Sequence, residues 1–141
     1  MVDNNFKYLS KDQIKKLIIH CSDTPDDNYL SAIDIHTMHI NFGWNGIGYH
    51  KVIRRDGVIE NGRPEYWIGA HTYGMNEISL GVCLIGKKEF TTDQFNSLKQ
   101  LLINWKETYP NAEILGHSDA IITDKTCPNF DVKKWCEVNS L

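Results

Sequence analysis

With 141 residues and 41% hydrophobic content, the chain is long enough for one globular domain with a real core and too short for two. Its formal charge of −3 comes with 15 lysines and arginines scattered without a basic run, which argues against a nucleic-acid binder. No apolar run approaches the roughly 20 residues of a membrane span, so membrane insertion is not expected either. Met1 to Lys16 is polar and charged, unlike a signal peptide, so the chain reads as a soluble product of the cytosol. In that compartment the four cysteines are expected as reduced thiols or metal ligands, without a structural disulfide.

In chain order, residues 1–13 read as a loosely docked polar arm. Leu17-Ile18-Ile19 lies within Ile14 to Ser22, and its β-branched character suits a central strand buried on both faces. His20 stands at that strand's end. Alternation puts it opposite Cys21, which reads as a small buried hydrophobe. After a turn-rich loop, Ser31 opens a helix with Asp34 three residues on, Ile35, Met38 and Phe42 as its apolar stripe, and Gly43 closing it. His36 and His39 are read there as exposed or groove-lining rather than as a ligand pair. Tyr49 to Ile53, a turn over Arg54-Arg55-Asp56-Gly57, and Val58 to Glu60 predict a hairpin, with His50 pointing away from Tyr49 in a structural role.

Ser79 to Ile85 predicts another buried strand that contains Cys83. Thr91 or Thr92, with Gln94 three residues after Thr91, caps the longest helix, whose stripe is Phe95, Leu98, Leu101, Leu102 and Trp105. Asp131 caps a short last helix. Strands interleaved with helices make the class α/β, one domain with a central mixed sheet flanked by helices.

The chemistry concentrates in Gly116 to Pro128. His117 follows the strand-like run Glu113 to Gly116, and Cys127 is restricted by Pro128. Imidazole and thiolate are both good zinc ligands, and a zinc site needs at least one more protein ligand, for which His20 is the best supplier. Three ligands would leave one position open, as a catalytic zinc requires. A zinc so held lowers the pKa of water to about 7 and polarises a carbonyl.

Several spaced stretches together carry a resemblance: IIHCS at Ile18 to Ser22, GWNGIGYH at Gly43 to His50, RDG at Arg55 to Gly57, GAH at Gly69 to His71, SLGVCLIG at Ser79 to Gly86, Gly116-His117, and KTCPNFD at Lys125 to Asp131. The set resembles the zinc-dependent N-acetylmuramoyl-L-alanine amidases, and within them the lysozyme-type endolysins of T-odd phages, which share a fold with peptidoglycan recognition proteins. It runs from about Lys16 to the end and departs at one point, a loop from His117 to Cys127 two residues longer than the pattern. The resemblance implies one zinc per chain on His20, His117 and Cys127, catalytic roles for Tyr49 and Lys125, and a substrate-binding role for His71. It implies an endolysin that cuts the amide between N-acetylmuramic acid and L-alanine in peptidoglycan. Such a protein would be a monomer kept in the host cytoplasm until released to the wall. Residues 1–13 carry no motif for polymerase binding, so the resemblance implies nothing about that partner. Three alternatives stand beside this: a peptidoglycan-binding protein without catalysis, which Cys127 disfavours; a cytosolic muropeptide-recycling amidase, whose relatives usually place Asp there; and a cysteine hydrolase, which leaves His20 without a use.

Overall fold

Leu17, Ile18 and Ile19 are completely buried because their strand lies between two others, with covered faces on both sides. The computed structural model describes residues 6–141. Its sheet has strands β1 (Lys16–Cys21), β2 (Lys51–Ile53), β3 (Ile59–Asn61), β4 (Ser79–Leu84) and β5 (Glu113–Gly116), in the spatial order β3-β2-β4-β1-β5. Only the β2–β3 pairing is antiparallel; β2 with β4, β4 with β1, and β1 with β5 run parallel. The helices are α1 (Ala32–Asn41), α2 (Thr92–Thr108), the short α3 (His117–Ala120) and α4 (Val132–Val138).

Period-2 alternation divides the core between the two faces of the sheet. Leu17, Ile19, Leu80, Val82 and Leu84 pack with Leu98, Leu101, Leu102 and Trp105 of α2 and with Val132 of α4. On the other face, Val52, Cys83 and Ile85 meet Ala32 and Ile35 of α1. The stripe expected on α2 holds, although Phe95 is only half-buried and meets Phe130 at 5.2 Å. The stripe expected on α1 does not hold throughout. Phe42 is 60% exposed, and His39 takes the buried position instead, beside Ala32 and Ile35.

Helix starts follow local chemistry. Thr91 and Gln94 form a reciprocal capping box, each backbone N–H donating to the other's side-chain oxygen at 3.0 Å. Gln94 also ties α2 to the sheet. Its amide donates to the carbonyls of Ile53 and Ile85 at 3.2 and 2.8 Å, while its oxygen accepts from Arg55 at 3.2 Å. Arg55, read from sequence as a turn residue, is therefore buried, and its guanidinium also reaches the Glu89 carbonyl at 2.9 Å. Because Gln94 is fully buried, Gln94→Ala strands several polar groups without water. The expected loss is about 2–4 kcal/mol of unfolding free energy, read from urea denaturation. A loss below about 0.5 kcal/mol would show that water replaces the side chain there.

Of the arm expected over residues 1–13, residues 1–5 lie outside the described residues. The rest is tied down. Phe6 stacks on Trp67 with centroids 4.3 Å apart, the N–H of Leu9 donates to Tyr66 at 2.8 Å, and the N–H of Ile68 donates to Lys7 at 2.8 Å. Leu9 itself belongs to the core. Among the described residues no helix is long and apolar enough to cross a membrane.

Candidate metal centre and active-site cleft

β1 and β5 lie side by side with Ile19 opposite Gly116, so the next residues, His20 and His117, emerge together at the carboxyl ends of two parallel strands. Open α/β sheets bind ligands in crevices at such ends. The two imidazole rings are 4.6 Å apart. His117 begins the helical turn α3 rather than a loop, and the Asp119 carboxylate accepts the N–H of Gly116 at 3.2 Å. Cys127 reaches the same point from the segment before α4. Its Sγ accepts the N–H of Cys21 at 3.1 Å, and its carbonyl accepts the N–H of Ser118 at 3.0 Å. One ligand atom from each of His20, His117 and Cys127 lies within 4.8 Å of the other two.

A single zinc would hold such atoms at roughly 2.0–2.3 Å, hence about 3.5 Å from one another. The three side chains need only small adjustments to meet that. Two imidazoles and a thiol are also the donor types zinc favours.

These residues floor a cleft of about 650 Å³. The Tyr49 ring is 5.1 Å from the His20 ring. Lys125 lines the cleft and is otherwise exposed, while Trp44, Tyr73, Ile121 and Asn129 form further parts of the wall. All these side chains fall within residues 10–130, the span matched by the family described as N-acetylmuramoyl-L-alanine amidase. The chain belongs to that family. It is 35% identical over 143 residues to the endolysin of Klebsiella phage KP32, covering 96% of this chain and 93% of that one. Its structure resembles that of the N-acetylmuramoyl-L-alanine amidase LysC from Clostridium intestinale, with a TM-score of 0.81 and 28% identity over 100% and 98% of the two chains. A Drosophila PGRP-LB variant solved in complex with tracheal cytotoxin gives 0.78 and 27% over 99% and 88%.

The electrostatics of this amidase suit a metal. Burial, then the neighbouring His117, pushes the His20 pKa far down; burial, then Lys125, lowers that of His117. Both rings are therefore neutral at pH 7 and keep a lone pair to donate. The adjacent Cys21 sulfur and burial raise the Cys127 thiol, an effect that a bound dication would reverse. Burial holds the Tyr49 phenol protonated well above its usual range.

Other histidines serve the scaffold. His50 is buried, its Nε2 donating to the Trp67 carbonyl at 2.8 Å while its Nδ1 accepts the N–H of Gly81 at 3.1 Å. His36 is exposed, but its Nδ1 accepts the N–H of Ile47 at 3.1 Å; buried His39 does the same for Gly48 at 3.0 Å. This pair thus orders the loop before Tyr49. His71 lines the cleft, yet its two ring nitrogens are turned onto the protein. Thr72 and the aromatic wall of Trp44 and Tyr73 were not singled out from sequence. Their only signal was a Gly-rich setting around exposed aromatic residues.

Burial pushes both His39 and His50 down to about 4. Unfolded, each titrates near 6.5, so as the pH falls the unfolded chain takes up protons first. Stability carried by the neutral rings is intact above pH 6.5 and lost between about 6.5 and 4, by up to about 3 kcal/mol for His50 alone. The urea midpoint should fall over that window, and His50→Gln should flatten the fall. A midpoint unchanged from pH 7 to 4.5 would refute this.

Proposed function

We propose that this amidase is a zinc-dependent endolysin that hydrolyses the amide between N-acetylmuramic acid and L-alanine, the whole chain acting as one catalytic domain. The observation that carries the reading is the convergence of His20, His117 and Cys127 to within 4.8 Å on the floor of a cleft that Tyr49 and Lys125 also line. The family and the KP32 endolysin support peptidoglycan as the substrate and wall lysis as the outcome. Made in the host cytoplasm, the protein would act once it reaches the wall.

His20, His117 and Cys127 would hold one zinc. When bound, zinc supplies Lewis acidity, polarising the amide carbonyl and making water acidic enough to attack near neutral pH. Lys125 places an ammonium where charge develops on the carbonyl oxygen. Tyr49, kept as a phenol, has a proton to orient water or to pass to the leaving nitrogen. Trp44 and Tyr73, with His71 beside them, line walls along which a glycan and its stem peptide would lie.

The test is metal content measured alongside the products released from purified peptidoglycan. New L-alanine amino termini without new reducing sugar ends, and about one zinc per chain, are expected. Reducing ends instead would indicate a glycosidase, and full activity in metal-free protein would overturn the zinc reading. The same metal analysis separates the reading from a cysteine hydrolase with Cys127 as nucleophile, which needs no metal.

A further inference from the structure

We propose that His71 and Ser79 are positioning residues that lock the His20 imidazole into the tautomer that leaves Nδ1 open for the metal. This rests on the metal reading above. The protons can be assigned from one end of the chain of contacts. Ser79 Oγ lies 2.7 Å from the carbonyl of Met75, which only accepts, so the hydroxyl hydrogen points there. Towards His71 Nε2, at a long 3.5 Å, Ser79 Oγ is then the acceptor, which places the ring proton of His71 on Nε2. In a neutral imidazole that leaves the lone pair on Nδ1.

His71 Nδ1 lies 2.9 Å from His20 Nε2. With His71 Nδ1 as the acceptor, the proton between them belongs to His20 Nε2. The lone pair of His20 is thereby left on Nδ1, which makes no hydrogen bond among the described residues. Thr72 Oγ1 fits the same assignment. It stands 3.2 Å from His20 Nε2, from which it can accept, and 2.9 Å from His71 Nδ1, to which it can donate.

The His71 ring is built into its place. A Cβ added at Gly81 would meet His71 Cγ at 2.6 Å, and one added at Gly69 would meet His71 Cδ2 at 2.6 Å, so the ring lies directly against two bare stretches of backbone. The Gly81 backbone is in turn held by His50 Nδ1 at 3.1 Å. On the other side, Asn76 Oδ1 accepts the N–H groups of both His71 and Thr72, at 3.0 and 2.9 Å. A ring seated this tightly, with both nitrogens engaged by the protein, is arranged to orient a neighbour. Partners that orient a ligating histidine in this way typically contribute ten- to a hundredfold in metal affinity.

The decisive experiment is a long-range ¹⁵N–¹H correlation spectrum of the zinc-loaded full chain. We expect His20 and His71 each to carry the hydrogen on Nε2, with His20 Nδ1 shifted by the metal. Zinc bound with a hydrogen on His20 Nδ1 would overturn this inference while leaving the metal reading standing. Failure of wild-type protein to perturb His20 on adding zinc would overturn the metal reading, and this inference with it. As a second measurement, His71→Phe keeps the ring but removes the acceptor, so zinc affinity in chelator competition should fall ten- to a hundredfold, with His71→Gln recovering part of it. Unchanged affinity in a folded His71→Phe protein would exclude a positioning role. If that variant does not fold, the wild-type spectrum still decides the tautomer.

Discussion

Cys127→Ser is expected to remove zinc and peptidoglycan hydrolysis together. The serine hydroxyl stays protonated near neutral pH and is a far weaker zinc ligand than thiolate, and the two histidines left behind hold the ion too loosely at ordinary concentrations. His20→Ala should do the same from the other side of the site. Zinc per chain should fall from about one to near zero, with hydrolysis dropping in parallel. Stability should fall as well. A ligand present at about a thousand times its Kd contributes about 4 kcal/mol to the folded state, so the variants should resemble chelated wild type and show no further response to chelator. Cys83→Ala and Cys136→Ala, which remove buried sulfurs outside the group of three, should keep the zinc. A Cys127→Ser protein that retains both metal and activity would remove the thiolate from the site.

Tyr49→Phe and Lys125→Ala should behave differently, keeping zinc and fold while losing most hydrolysis. Neither side chain belongs to the group within 4.8 Å that could hold the ion, yet both line the cleft around it. Burial keeps the Tyr49 phenol protonated beside the His20 ring, so it stands ready as a hydrogen-bond donor to water or to the leaving nitrogen. Lys125 is exposed, so its removal costs little in folding. Groups that act on developing charge or on a proton in flight typically contribute about 10²-fold or more to the rate. The loss should therefore appear in kcat, with KM much less affected. If Tyr49→Phe with zinc in place cleaves at the wild-type rate, the tyrosine is an aromatic wall residue and Lys125 alone assists the metal.

Much of the scaffold is legible in the chain because it depends on residues three or four positions apart. Thr91 with Gln94 closes its capping box, Asp131 accepts the N–H of Lys134 at 3.0 Å, and Leu98, Leu101, Leu102 and Trp105 fall on one buried stripe. Arg54 to Gly57 turns as Asp-Gly predicts, with Gly57 at φ +86°. The three candidate ligands were legible too, because imidazole and thiolate beside strand ends and a proline corner already suggest a metal.

What only the tertiary structure decided is which long-range neighbour each polar group meets. The Ile19–Gly116 register, which brings His20 beside His117, joins segments almost a hundred positions apart, and no local pattern encodes it. Helical periodicity placed Phe42 inside and left His39 to the surface or a groove, whereas the folded loop after α1 supplies an N–H for His39 and none of the apolar cover Phe42 would need. Arg55 reads locally as part of a turn, and only the packing of α2 and of the segment between β4 and α2 against it gives its guanidinium acceptors. His71 reads as a loop histidine facing the groove. Its ring lies on Gly69 and Gly81 and its nitrogens face His20 and Ser79, because a side chain's polar partners are set by whatever the fold packs against it.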